Sequence, residues 1–312
     1  MYLLGIDIGG TTIKAGVVTE EGKILLKKEC ATQSDLGFHQ VMNHLKSLVL
    51  DLLYETNLSF AEVKSMGVGI PSYVNHKGEV TCVNLGWNRA PIVKTLKELF
   101  PTLRIVVEND ATVAAIAESR FGSMRNRDVA VMLTLGTGVG GGIIINGRPF
   151  VGAHGMASEM GHVIIGRNHT DCKCGNNGCF ETFCSATAII QETKRLLSLG
   201  EKGIIYQKCR GDLNQINAKM VFDAYREQDS LAKQIIDRFK SHLAVGIAGI
   251  VNTLDPHVIA LGGGVSRAGD IILEGLEEQV RQHILYKDES FAELVVATLG
   301  NDAGIIGAAA LQ

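Results

Sequence analysis

A strand that runs into glycines and turns back on itself occurs twice in this chain, and that repetition limits the fold more than any other feature. The first copy, YLLGID, reaches Gly9 and Gly10, resumes as IKAGVV, turns at EEG and continues as KILLKKEC. The second, VAVMLTLG, leads into GTGVGGG and returns as GIIINGRPF, so that Asp7-Ile8-Gly9 aligns with Thr134-Leu135-Gly136. Alternating apolar residues bounded by glycine mark each copy as a hairpin. A supersecondary unit repeated in register indicates an internal duplication.

Between the hairpins the pattern predicts a helix over about 39–55, a strand SMGVGIP, a proline-tipped helix over about 91–99, a strand LRIVV, and a helix that starts at ENDA. Helical signals dominate 186–253, interrupted by the polar stretch GEKGIIYQKCRGD. The chain then reads as a strand HVIALGGGV, an amphipathic helix near 269–283, a strand AELVVATLG and a last helix AGIIGAAAL. Mixed elements in this order predict an α/β fold of two lobes.

Composition narrows the functional classes. A net charge of −3 gives no basic field for nucleic acid or anionic lipid, and no apolar stretch reaches the length of a membrane span. The N-terminus has no cationic leader pattern, so the expected location is cytoplasmic. The seven cysteines are then better read as thiols or metal ligands than as a disulfide framework. The 36 glycines gather at strand ends, where backbone can approach phosphate closely.

The segment DIGGTTIK holds a carboxylate, Asp7, two glycines, Gly9 and Gly10, two hydroxyls, Thr11 and Thr12, and Lys14 within one turn of chain. It reads as a phosphate loop in which Asp7 orients Mg²⁺ through water, although it matches neither a Walker A loop nor a dinucleotide fingerprint. The second loop, with Gly136, Thr137, Gly138 and Gly140, carries more glycine than a turn needs, and two such loops suit a polyphosphate. A third run, Gly262, Gly263 and Gly264, ends a strand and suits close approach of an adenine or ribose. At ENDA, Asp110 lies near a helix N-terminus beside Asn109, so the helix dipole favours its charge and it is the candidate base; the ordinary alternative is an N-cap. Trp87, between the lobes on this reading, serves equally well as a core anchor or a sugar-facing residue, and Asn84 nearby is a candidate hydroxyl contact.

Glu159 and His162 in SEMGH and Glu181 in CFET flank the cysteines of CKCGNNGC. Carboxylates and imidazole facing one cavity match the hydrogen-bonding pattern of vicinal hydroxyls. Cys172, Cys174 and Cys179 supply three thiolates for a structural Zn²⁺, and one imidazole would complete the set. Spacing does not choose among His154, His162 and His169. Cys30, Cys82, Cys184 and Cys209 are scattered and read as small buried hydrophobes.

Taken together, DIGGTTIK, ENDA, LGTGVGGG, HGMASEMGH, CKCGNNGCFE and LGGGVS resemble the ROK family of sugar kinases and repressors, most of all its bacterial glucokinases, over essentially the full length. The resemblance implies a duplicated actin-like, hexokinase-type ATPase fold of two lobes with an interlobe cleft. Residues 1–118, joined by the C-terminal helix at about 300–312, would form the smaller lobe. Residues 119–299 would form the larger one, with the zinc site and the surface of a homodimer. It implies zinc ligands His162, Cys172, Cys174 and Cys179, and sugar contacts from Asn109, Asp110, Glu159, His162 and Glu181. The implied reaction is ATP- and Mg²⁺-dependent phosphorylation of the 6-hydroxyl of a hexose, with Asp110 as base. Glucose is the first expectation; N-acetylmannosamine, allose, fructose and N-acetylglucosamine are the alternatives, and a non-catalytic sugar-sensing regulator is the other class. Two departures bear on this. Many family members have glycine where this chain has Ser158, which is expected to alter the pocket near the sugar. Family repressors carry an extra N-terminal DNA-binding segment, whereas the phosphate strand here begins at Tyr2, so no DNA binding is expected.

Overall fold

The computed structural model describes residues 1–311 and contains two compact units. The first comprises Met1–Asp128, Gly142–Ser158 and the C-terminal stretch from Thr298; the second comprises Val129–Gly141 and Glu159–Ala297.

In the first unit the strands are β1 (Tyr2–Ile8), β2 (Thr12–Thr19) and β3 (Ile24–Ala31), followed by helix α1 (Phe38–Thr56) and strand β4 (Val63–Ile70). A small hairpin, β5 (Val80–Cys82) with β6 (Trp87–Ala90), precedes α2 (Ile92–Leu99), β7 (Arg104–Asn109) and α3 (Asp110–Phe121). The chain continues through β8 (Val129–Leu135), β9 (Val139–Ile145), β10 (Arg148–Pro149), α4 (Glu181–Cys184), α5 (Ala186–Ser198), α6 (Ile204–Lys208), α7 (Ala218–Arg226) and α8 (Ser230–Leu254). It ends with β11 (Val258–Gly262), α9 (Gly269–Leu273), α10 (Leu276–Arg281), β12 (Glu293–Val296) and α11 (Ala303–Ala309), the last of which belongs to the first unit.

One sheet has the order β3-β2-β1-β4-β7 and the other β10-β9-β8-β11-β12. Numbered from the first strand of each sheet, both orders are the same. The duplication seen in the glycine hairpins therefore extends to whole-sheet topology. In both sheets the first strand is followed in space by two parallel partners, β4 and β7 in one and β11 and β12 in the other.

Helix α1 shows why these segments take their form. Its buried residues, Val41, Met42, Leu45, Leu48, Val49, Leu52 and Leu53, recur three and four apart and lay one stripe on the core. The helix stops at Asn57, whose φ of 53° is left-handed. That core also holds Trp87, 5% exposed and edge-on to Phe38 at 4.9 Å, so the tryptophan is a core anchor of the first unit.

Two predicted elements differ from what forms. The helix expected near 269–283 is broken into α9 and α10, because Gly275 takes φ 66° between them. The polar stretch expected to interrupt the helices contains α6, whose Ile205 is fully buried.

Helix α11 approaches the first sheet without intervening side chains. A Cβ added to Gly67 on β4 would lie 1.7 Å from the Ala308 carbonyl oxygen, and one on Gly5 of β1 would lie 1.9 Å from that of Ile305. Backbone cannot give way as a flexible side chain can, so Gly67→Ala should lower the unfolding free energy by about 3 kcal/mol, near the upper end for overpacking. A urea unfolding curve checks this, and a loss below about 0.5 kcal/mol, the range of neutral surface changes, would show that the helix can shift away.

Candidate functional site

In the first unit the β1–β2 turn forms the first glycine loop. Gly9 N–H donates to the Thr12 carbonyl at 2.9 Å, while Thr32 ties down the loop from β3's end through Oγ1 to the Gly9 carbonyl at 2.8 Å and N–H to the Thr11 carbonyl at 2.9 Å. Carbonyls are thus engaged inside the fold, and Gly10 and Thr11 are exposed. Asp7 faces Lys14 across the antiparallel ladder. Burial pushes the Asp7 carboxyl above its ordinary value, and the Lys14 charge opposes that shift without cancelling it.

At the β7–α3 junction the Asn109 side chain caps the helix, accepting from Ala111 N–H at 2.9 Å and Thr112 N–H at 3.2 Å. Asp110 is the first helical residue, so the capping alternative belongs to its neighbour. Its carboxylate sits at the positive end of the helix dipole, where its charge is favoured. Because the Asn109 carbonyl oxygen serves the cap, only its amide NH₂ remains to meet a ligand. Asn84 is exposed on the 3₁₀ turn between β5 and β6. Ser158 holds φ 71°, a left-handed conformation that favours glycine, and its hydroxyl donates to the Phe150 carbonyl at 3.3 Å.

In the second unit, glycine runs 136–140 and 262–264 follow or end neighbouring parallel strands, with Gly262 paired to Thr134. Ligands of α/β sheets gather at such carboxyl ends. The 136–140 loop is fastened to the start of α5: the Gly136 carbonyl accepts from Ala186 N–H at 2.8 Å and the Thr137 carbonyl from the Thr187 hydroxyl at 2.6 Å. A Cβ on Gly138 would lie 2.5 Å from Glu181 Oε2, so glycine there lets the candidate phosphate loop touch a candidate sugar carboxylate.

His162, Cys172, Cys174 and Cys179 come together with all four ligand atoms within 4.8 Å of one another. Neither His154 nor His169 belongs to this group. Cys172 Sγ is 3.6 Å from His162 Nδ1, and Cys174 Sγ is 3.5 Å from Cys179 Sγ. A tetrahedral zinc with bonds of about 2.3 Å to sulfur and about 2.0 Å to nitrogen requires S···N edges of about 3.5 Å and S···S edges of about 3.8 Å. Donor chemistry and spacing therefore both fit Zn²⁺. Burial raises the Cys172 and Cys179 thiols, whereas Cys174, exposed and receiving the Asn176 backbone N–H, is brought down to about 7. The Cys172 thiol also donates to Glu181 Oε1 at 2.9 Å, and that oxygen lies 4.0 Å from His162 Nδ1. Glu159, exposed, precedes the 3₁₀ turn that carries His162. Cys82, Cys184 and Cys209 are buried and Cys30 is half-buried.

Two duplicated α/β sheets with glycine loops at their strand ends, a carboxylate opening a helix and a thiolate–imidazole cluster beside further carboxylates define a nucleotide- and sugar-handling class of protein. The ROK family model matches residues 3–312, and the chain belongs to the ROK family. A glucokinase of Thermotoga maritima is 34% identical, with 100% of this chain and 97% of the relative covered. An N-acetyl-D-glucosamine kinase of Histophilus somni is 30% identical, covering 98% of this chain and 97% of its own. The crystal structure of a ROK family glucokinase from Streptomyces griseus, in complex with glucose and AMPPNP, superposes with a TM-score of 0.84 at 31% identity, covering 99% and 98% of the two chains.

The Asp7 environment has a measurable consequence. Its folded-state value is raised, so the folded chain holds the proton more tightly than the unfolded chain; the stability this brings is present below the unfolded value and lost as pH rises through the folded one. Asp7→Asn should therefore be more stable than wild type at neutral pH, with the gap closing toward about pH 4. Urea midpoints across that range check it; an Asn variant less stable at pH 7 would mean that Asp7 is held by favourable contacts.

Proposed function

We propose that this sugar kinase transfers the γ-phosphoryl group of ATP to the 6-hydroxyl of glucose, giving glucose 6-phosphate and ADP. Full-length similarity to glucokinases supports the class and the first choice of sugar. The chemistry rests on the division of labour at β7–α3: Asn109 caps the helix, and the Asp110 carboxylate stands at its first residue, at the positive end of the helix dipole.

In a loose phosphoryl-transfer transition state the attacking hydroxyl keeps its proton until late, so a weak, well-placed base suffices. Asp110 is assigned that role, and the Asn109 amide NH₂ donates to a neighbouring sugar oxygen. Glu159, His162 and Glu181 are assigned the remaining hydroxyls; a carboxylate accepts from them, and an imidazole bound to metal through Nδ1 keeps Nε2 for a polar contact. Asn84 is a further candidate contact. Gly9, whose own N–H is taken by the Thr12 carbonyl, shapes the turn; the Gly10 N–H and the 136–140 loop, with the Thr11, Thr12 and Thr137 hydroxyls and Lys14, are assigned to phosphate, and Gly262–Gly264 to the nucleoside. Bound Mg²⁺ would offset the phosphate charge, with Asp7 orienting it through water. A structural zinc on His162, Cys172, Cys174 and Cys179 would fix the loop that presents His162 and Glu181. The thiolate form of Cys172 has no proton to give Glu181, which leaves that oxygen available to a sugar hydroxyl.

The same reading makes the protein a homodimer acting in the cytoplasm in carbohydrate breakdown at the entry to glycolysis. Among the described residues no helix is long and apolar enough to cross a membrane. Similarity to an N-acetyl-D-glucosamine kinase supports the second reading, in which the preferred sugar bears an N-acetyl group.

Asp110→Asn should lower kcat by about 10²–10⁴ with an unchanged circular dichroism spectrum, the range for removing a positioned general base. Turnover within a few-fold of wild type would remove Asp110 from that role. A comparison of kcat/KM for glucose and N-acetylglucosamine with ATP decides between the two sugars, and glucose is expected to be preferred.

A further inference from the structure

A cavity of about 510 Å³ in the second unit is lined by none of the residues assigned above to sugar, nucleotide or metal. Its volume is that of small-molecule sites. Phe183 and Phe239 contribute apolar surface, and His169, Lys194, Arg195 and Arg238 contribute cationic or ionisable groups, against a single carboxylate, Glu192.

That carboxylate is already engaged. Arg195 donates to it twice, through Nε at 2.8 Å and a terminal nitrogen at 2.9 Å, while Arg238 Nε stands 3.7 Å away. Two guanidinium groups therefore share one anion, and Lys194 has no ion-pair partner among the described residues. Arg238 is also held in place. Its guanidinium carbon lies 5.9 Å from the centre of the Phe183 ring, and the main-chain carbonyl of the same residue meets His242 Nδ1 at 2.8 Å, which fixes the His242 ring. His242 in turn stacks on Phe183 at 4.2 Å and 9°. A guanidinium positioned in advance and only partly neutralised recognises phosphate or carboxylate with little further ordering.

The cavity borders the segment assigned to sugar recognition. Thr182 and Phe183 directly follow Glu181 on α4, and Asn168, which precedes the cysteines, donates through Nδ2 to the Thr182 carbonyl at 2.7 Å. We propose that this cavity binds a small organic anion bearing phosphate or carboxylate groups, and that its occupancy changes the affinity for sugar. Binding stands on the cavity alone; the effect on sugar rests on the kinase reading above.

The test is isothermal titration calorimetry of the full chain with 2-phosphoglycolate and with inorganic phosphate, in wild type, Arg238→Gln and Lys194→Gln. Loss of a charge-assisted contact should weaken phosphoglycolate binding by about tenfold or more in Arg238→Gln. Lys194 is half-exposed, so its variant reports on the site even where Arg238→Gln fails to fold, and it too should bind more weakly. Phosphoglycolate should also shift the KM for sugar in wild type and not in Arg238→Gln, whose kcat without the anion should be unchanged. Absence of binding heat, or equal binding in wild type and both variants, overturns the site. Binding that leaves KM unmoved overturns the coupling to sugar. Binding that depends on Arg238 in a protein that phosphorylates no sugar upholds the site and overturns the kinase reading instead.

Discussion

Cys172 links the two ends of the segment from Glu159 to Glu181, through contacts with Glu181 at 2.9 Å and with His162 at 3.6 Å. Main-chain hydrogen bonds from Ile165 N–H to the Gly178 carbonyl at 2.9 Å and from Phe180 N–H to the Val163 carbonyl at 2.8 Å pair its two limbs. Its regular structure amounts to one 3₁₀ turn and the isolated bridges Ile164↔Cys179 and Asp171↔Asn177, and most of its residues are exposed. A long loop that buries so little apolar surface cannot offset its conformational entropy by packing. Four converging soft donors offer the missing constraint, because binding energy at a metal is folding energy for the loop around it. The proposed sugar ligands His162 and Glu181 are, respectively, a member and a direct neighbour of that donor group.

Within each unit, glycines permit close approach. Glycines let α11 rest on β1 and β4 in the first unit, and let the 136–140 loop lie against Glu181 in the second. The same lack of side chains that permits close packing exposes N–H groups at the strand ends, where an anion can reach them. Asp7 shows the opposite side of this arrangement: a half-buried carboxylate, raised by desolvation, sits near the end of β1 where stability alone would favour a neutral residue. A local cost of that kind is typical of a group retained for chemistry.

Much of this was legible in the sequence because it is written locally. Apolar alternation and glycine runs marked both hairpins, and the amphipathic stripe of α1 marked its helix. The repeated strand order followed from recognising the duplication. What escaped was set by single backbone angles or by distant residues. Gly275 splits one amphipathic helix in two through a left-handed φ. Asn109 and Asp110 are both good capping residues, and only geometry shows which one caps. Spacing alone left three histidines open beside the cysteines; the family resemblance pointed to His162, and the folded loop brings that residue to them. The anion cavity had no signal at all, since His169, Arg195 and Arg238 meet only when α5, α8 and the cysteine loop pack together.

On this reading the cysteine–histidine cluster organises sugar recognition without taking part in phosphoryl transfer. Zinc content and steady-state kinetics of Cys172→Ser, measured beside wild type, test it most directly. Wild type should hold about one zinc per chain and the variant none, with a rise of about tenfold or more in KM for sugar, as for removal of a metal-site support, and the KM for ATP little changed. A variant that loses its metal yet keeps the wild-type KM for sugar would contradict the account.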